Sequence, residues 1–246
     1  MKNQVPHSIK EMANIAARIP FVKTILKPFY YNYKHRLEEK RKAQFRMCAK
    51  EALFAFDKCL TENGFNYVLA FGTMLGAVRE KGFIKHDIDI DVSMWAEDYS
   101  PKLKECLEKS GFKLGYSFEV ENGFLGREET YVYKDVSIDI FYFYPAIDEY
   151  PYCCDFIGWP DCPTYQSCMK KHGGALPRRI EIPINKDRIK TRFEDMELYI
   201  PKNANEILEF RYGVDYMVPK KNWSISSYNK HIVEWTEKLG VFKEYV

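Results

Sequence analysis

Three aspartates, Asp87, Asp89 and Asp91, stand at every second position of the stretch HDIDIDVSM, separated by Ile88 and Ile90. A carboxylate without a partner is costly in an apolar strand, so three in a row call for something positive. Strand alternation puts the three acids on one face and Ile88, Ile90 and Val92 toward a core. Carboxylates two residues apart are separated by about 6.6 Å. That spacing suits flanking or bridging a pair of hard cations roughly 3.5–4 Å apart, as in phosphoryl-transfer centres. Magnesium, with manganese as the alternative ion, favours oxygen ligands and binds through a few carboxylates plus substrate phosphates. A fourth acid, Asp139, lies between Ile138 and Ile140 in VSIDIFYFY. If that stretch pairs with 87–94, Asp139 completes the cluster or takes a proton from an incoming hydroxyl. A lone acid would instead be read as the partner of a lysine or arginine; four acids in two strands make that the weaker reading.

A complement precedes the acids. Gly72 and Thr73 form a tight turn that opens a helix, and such a turn presents backbone N–H groups to an anion, reinforced by the helix dipole. Arg79, two turns into that helix, can reach a diphosphate. A Gly-Thr pair alone is more often an ordinary strand-to-helix turn; its value lies in the aspartates 14 to 18 residues later.

The elements around these groups follow from periodicity and punctuation. MCAKEALFAFDKCLTENG predicts an amphipathic helix closed by Gly64, and FNYVLAF a buried strand. GTMLGAVREKG is a short helix and HDIDIDVSM a strand. SPKLKECLEKSG is a helix with Ser100 as cap and Pro101 at its first position. FKLGYSFEV, EETYVY and VSIDIFYFY follow as antiparallel neighbours. Residues 145–180 read as irregular. A strand pair near 181–200, a helix at 203–212 and a last helix near 226–239 complete an α+β layout, a mixed sheet with flanking helices.

Charge is unevenly spread. Residues 1–50 hold 12 Lys/Arg against 3 Glu, and the rest holds 25 basic against 32 acidic side chains. A basic arm on an acidic body fits an anionic partner surface. The segment IPFVKTILKPFYYNYKHRLEEKRKAQFRM, broken at Pro20 and Pro28, either lies on an acidic membrane with its lysines toward the headgroups or is a basic helix packed on one face. No stretch approaches the ~20 apolar residues of a spanning helix, and the N-terminus has no secretory pattern. A cytoplasmic chain, peripheral on the inner face of the membrane if the arm binds lipid, with its seven cysteines as free thiols, is the expectation.

With those residues in view, GTMLGAVREKGFIKHDIDIDVSM resembles the signature of the LicD/fukutin family of nucleotidyltransferase-fold enzymes. VSIDIFYFYP resembles the family's hydrophobic-Asp-Ile-Phe strand, and FEDMELYIPKNANEILEFRYGVDYMVPKKNW its closing segment. The likeness covers residues 60–223 with three motifs in order, and it divides the chain into a basic helical arm, 1–46, and a catalytic domain, 47–246. It implies transfer of a phospho-alcohol such as phosphocholine, phosphoethanolamine or ribitol phosphate from a CDP-linked donor to a hydroxyl of a cell-surface glycan or glycolipid, with release of CMP and no nucleic-acid partner. By position it implies that Asp87, Asp89, Asp91 and Asp139 bind magnesium, with Asp89, Asp91 and Asp139 catalytic. Gly72, Thr73, Arg79, Lys85 and His86 would hold the donor. Many bacterial members read Pro-Trp-Asp-Asp-Asp where this chain has Lys85-His86-Asp87-Ile88-Asp89; losing the Trp removes one means of recognising a quaternary ammonium. Two other readings stand beside this one: a nucleotidyltransferase moving NMP to a small molecule, and a non-catalytic scaffold of a glycan-assembly complex.

Other groups read as structural. Zinc at Cys153, Cys154, Cys162 and Cys168 is weakened by spacing that lacks paired C-x2–4-C knuckles, which favours buried thiols. His172 reads as a loop histidine, Lys202 and Arg211 as solvated surface charge rather than phosphate contacts, and FYFYP at 141–145 as core on one face.

Overall fold

The computed structural model describes residues 20–219 and 231–245. The first described helix, α1, spans Pro20–Glu62. The expected break at Pro28 is absent: the helix runs through it and on to Glu62. Phe45, Ala49, Ala52, Leu53, Phe56 and Leu60 bury one stripe of it, the 3.6-residue periodicity of a helix packed along one side. The helix is pinned by Gln44 Nε2 donating to the Lys134 carbonyl at 2.7 Å and by the Lys134–Glu51 pair at 2.6 Å.

Gly64, at φ +74°, turns the chain into β1 (Val68–Leu69), a much shorter strand than FNYVLAF suggests. Helix α2 (Phe71–Arg79) and strand β2 (Asp89–Trp95) follow. Helix α3 (Pro101–Lys109) starts as expected, with the Ser100 side chain accepting from the Lys102 N–H. Strands β3 (Lys113–Val120), β4 (Gly126–Tyr133) and β5 (Val136–Phe143) form an antiparallel meander. The α+β expectation holds: a six-stranded mixed sheet has the order β1-β2-β5-β4-β3-β11, where β11 is Val241–Glu244. Within it β2 and β5 run parallel, with helix and meander between them in sequence.

Two stretches differ from expectation. Residues 145–180 are ordered as β6 (Tyr152–Ile157), α4 (Tyr165–His172) and β7 (Leu176–Glu181), so His172 ends a helix rather than lying in a loop. The described part of the helix expected near 226–239 is instead β10 (Ile232–Glu234) and a turn; residues 226–230 lie outside the described residues. β10 joins β7 and β6 in a second sheet, while β8 (Arg188–Phe193) and β9 (Met196–Pro201) make a hairpin before α5 (Ala204–Tyr212). Short apolar runs take their identity from the neighbour that covers them. For the same reason Phe141, Tyr142, Phe143 and Tyr144 are all buried, on both faces of their strand rather than one.

Candidate active site

The glycine turn is bonded to the aspartate strand at one residue. The Asp91 N–H donates to Thr73 Oγ1 at 2.9 Å, and the Asp91 carbonyl accepts from the Ala70 N–H at 3.0 Å. Thr73 is 1% exposed, and its hydroxyl is spent on this clamp. Phe71 opens α2 at φ +42°, a left-handed conformation uncommon for a bulky residue. Its ring is held edge-on to Phe141 at 4.8 Å, with the Arg211 guanidinium over it at 4.3 Å.

Gly72 sits where this turn meets the acids. A Cβ there would lie 3.7 Å from Asp91 Oδ2 and 3.9 Å from Asp87 Oδ1, so both carboxylates point into the space above it. Gly76 has a different reason: a Cβ would approach the Gly82 carbonyl oxygen to 2.4 Å. Only glycine allows the 80–84 linker to fold back there and seat Phe83 between Phe45 and Phe193, at 5.1 and 4.7 Å.

Asp87 precedes β2 in a turn, accepting from the Ile84 N–H at 3.0 Å. Ile88 is consequently half-buried rather than in the core, whereas Ile90 and Val92 are fully buried. Across the parallel pair, Asp91 lies directly beside Asp139, and Asp89 beside Ser137. The next strand adds Thr130 opposite Asp139 and Glu128 opposite Phe141, so Glu128 shares the acidic face. Thr130 Oγ1 donates to Asp139 Oδ1. Among the described residues, no three of these carboxylates bring oxygens within 4.8 Å of one another. They line an open face instead of closing a cage.

Among the described residues, no cation is in salt-bridge contact with the acids of that face. Burial, then the Asp89 charge, pushes Asp139 up to about 7 against the donated Thr130 hydroxyl and Arg41. Burial likewise raises Asp87 to about 6, with Arg79 and the Ile84 N–H opposing. Asp91 is pushed well up by burial and then by Asp89, Asp139 and Asp87, while the Gly72 N–H opposes. Burial raises Asp89 against the pull of Arg41, and Glu128 rises through burial, Asp139 and Asp155. Each shift says that the ionised form is disfavoured until positive charge arrives.

The other expected site residues are spread around this face. Arg79 is 11% exposed at its side chain, bonds Glu80 at 2.8 Å and donates to the Tyr216 carbonyl at 3.2 Å. That contact joins the helix to the closing segment. Lys85 and His86 are exposed in the turn beside Asp87. Arg211 is not solvated surface charge: it is half-buried over Phe71, and its Nε has no hydrogen-bond partner among the described residues. Lys202 is exposed beside Asp187 at 3.7 Å. Cys153 and Cys154 are consecutive in β6 and so face opposite sides; no three of the four thiols come within 4.8 Å of one another.

Two residues join the site that the sequence did not single out. Glu128 alternates with Thr130 in GREETYVY, a signal confused by Glu129, which faces the other way and bonds Tyr142 at 2.9 Å. Arg41 stands one helical turn before the buried Phe45, on the packed stripe of α1. That position could have distinguished it within the basic arm.

Residues 64–161 match the family model described as LicD/FKTN/FKRP, nucleotidyltransferase domain. The chain is 26% identical over 211 residues to ribitol-5-phosphate transferase FKTN of Mus musculus, covering 80% of this chain and 41% of the relative. The Homo sapiens protein of that name is 27% identical over 184 residues, 73% of this chain and 35% of the relative. An uncharacterized Caenorhabditis elegans protein is 33% identical over 159 residues, 51% of this chain and 41% of the relative. The chain thus spans less than half the length of these relatives.

Proposed function

We propose, from the match of residues 64–161 to the LicD/FKTN/FKRP nucleotidyltransferase domain and the likeness to its relatives, a transferase that moves a phospho-alcohol from a CDP-linked donor to a sugar hydroxyl of a glycan or glycolipid. The observation that carries the reading is the pairing of Asp91 with Asp139 across parallel strands, facing the helix N-terminus at Gly72.

The residues present fit a hard divalent cation. The donor set is all oxygen, the ionised carboxylates are disfavoured as they stand, and magnesium prefers such ligands to zinc's thiolates. Asp87, Asp89, Asp91 and Asp139 would hold magnesium or manganese. When bound, that ion supplies neutralisation of the diphosphate and of the departing charge.

The chain's own groups do the rest. The N-terminal end of α2 at Gly72, with Arg79 and Arg211, orients the donor phosphates through its dipole and their charge. Asp139 receives the proton of the attacking hydroxyl at Oδ2, since Oδ1 is occupied by Thr130. The hydroxyl oxygen bonds to the phosphorus that carries the alcohol, the bridging P–O bond breaks, and CMP departs with its electrons. His86 in place of an aromatic face favours a polyol over a quaternary ammonium. The relatives' names agree, making ribitol phosphate the first donor to test.

The assay measures magnesium-dependent CMP release from CDP-ribitol, CDP-choline, CDP-ethanolamine and CDP-glycerol with glycan acceptors. One donor should turn over, and Asp89→Asn should abolish the release while remaining folded. Pyrophosphate release from a nucleoside triphosphate would point to nucleotidyl transfer. A folded protein that binds none of the donors would point to the scaffold.

A further inference from the structure

A second set of ligating groups lies on other elements than the aspartate face. In the segment WPDCPTYQSCMKKH, Thr164 and Ser167 form a reciprocal capping box, with Ser167 N–H donating to Thr164 Oγ1 at 3.2 Å and Thr164 N–H to Ser167 Oγ at 3.1 Å. The box fixes the corner where the loop enters α4. A further turn, from Cys162 N–H to the Trp159 carbonyl at 2.9 Å, folds the loop back along that helix. Cys168 and His172 are four residues apart and therefore share a helix face.

The result brings three different donor types together. His172 Nε2 lies 2.9 Å from Asp161 Oδ1, and Cys162 Sγ lies 3.5 Å from that same oxygen. All three ligating atoms fall within 4.8 Å of one another. The Cys168 thiol is fully buried and in hydrogen-bonding contact with Cys162. Lys171 bonds the other oxygen of Asp161, and Trp159 stacks on the His172 ring at 4.4 Å while its Nε1 donates to the Gly174 carbonyl at 3.0 Å. The donors are thus themselves held in orientation, as the outer groups of a metal site hold its ligands.

We propose that Asp161, Cys162 and His172 form a structural zinc site, with Cys168 in the fourth position. Mixed sulfur, nitrogen and carboxylate donors suit zinc, and bonds of about 2.0–2.3 Å place tetrahedral ligands about 3.3–3.8 Å apart. Asp161, Cys162 and His172 already stand within 4.8 Å of one another; Cys168 lies outside that group and has to turn toward it to give the fourth bond, while the ion replaces the Asp161–His172 hydrogen bond. A buried Cys168 leaves no open position for substrate, so the role is to brace α4. That helix carries Tyr165, whose ring packs on Phe118 at 4.8 Å and whose hydroxyl bonds the Phe156 carbonyl at 2.7 Å. Phe118 is in turn the cross-strand partner of Glu128, so the clamp supports the wall of the acidic face. The proposal stands whether or not the transferase reading does.

The test uses the full chain, purified without chelator, with zinc measured by elemental mass spectrometry. One zinc per chain is expected, lost in Cys162→Ser and in His172→Ala but kept in Asp89→Asn. Cobalt exchanged into the wild type should show a thiolate charge-transfer band and the intense visible bands of tetrahedral coordination. The charge-transfer band should fall by about half in Cys168→Ser. If the variants misfold, alkylation decides on the wild type: Cys162 should be protected by zinc and modified after chelation. Substoichiometric zinc, zinc retained in both Cys162→Ser and His172→Ala, an octahedral cobalt spectrum or a Cys162–Cys168 disulfide would each overturn the site.

Discussion

Replacing Asp139 with asparagine should stabilise the metal-free protein at alkaline pH, although it removes a group assigned to catalysis. Asp139 is raised from 3.8 to about 7, chiefly by burial. Between those values the folded chain keeps a proton that the unfolded chain has released, so stability falls as pH rises through the window. The penalty is complete above pH about 7 and absent below about 4. A shift of about three units corresponds to about 4 kcal/mol, and mutual relief among neighbouring acids brings the expected gain to about 2–4 kcal/mol. Asparagine can still accept the Thr130 hydroxyl, so the exchange loses little else. In a chain of this size that gain raises the melting temperature by roughly 4–16 °C. Thermal and urea unfolding of both proteins in EDTA at pH 8 and pH 4.5 measure it, and added magnesium or manganese should narrow the difference by stabilising the wild type. A variant no steadier than wild type at pH 8, or a gain equal at both pH values, would refute the charge-relief argument and with it the idea of acids waiting for a cation.

Arg41→Gln should lower stability at pH 8 by about 1–2 kcal/mol, from Coulomb's law at an effective dielectric near 20, because Arg41 draws Asp89 and Asp139 down. Urea midpoints at pH 8 and 4.5 check it: the loss should nearly vanish at the lower pH. Gly76→Ala should cost about 1–3 kcal/mol, since the added methyl meets the Gly82 carbonyl at 2.4 Å; a urea midpoint at or above wild type would contradict the close approach. Deleting residues 1–31, which leaves the buried stripe from Phe45 onward intact, should weaken sedimentation with anionic vesicles while CMP release on a soluble acceptor persists. Unchanged vesicle binding would remove the membrane surface as a partner.

The chemistry-bearing stretches were legible because their signals are local. Alternation around Ile90 and Val92 marked β2, Ser100-Pro101 marked the start of α3, and the spacing from Thr73 to Asp91 is the length of chain needed to return a helix to its own strand. Three similar motifs in order pointed to the family whose domain model matches residues 64–161. What periodicity could not supply was partnership. Ile232–Glu234 and Val241–Glu244 are too short to declare themselves, and they became strands because sheet edges at β7 and β3 were there to receive them. The same holds for Arg211, whose fate depended on Phe71 being beneath it.

The sequence by itself determined which acids stand in apolar strands and which turn precedes them. Those properties belong to residue type and to the fixed geometry of strand and helix. Only the tertiary structure decided that Asp91 and Asp139 lie side by side, that Glu128 shares their face, that Arg41 reaches them from α1, and that Asp161, Cys162 and His172 meet around one corner. Each of those depends on register or packing between segments distant along the chain or folded back on one another, where the free energy is set by burial and mutual charge rather than by any residue's own preference.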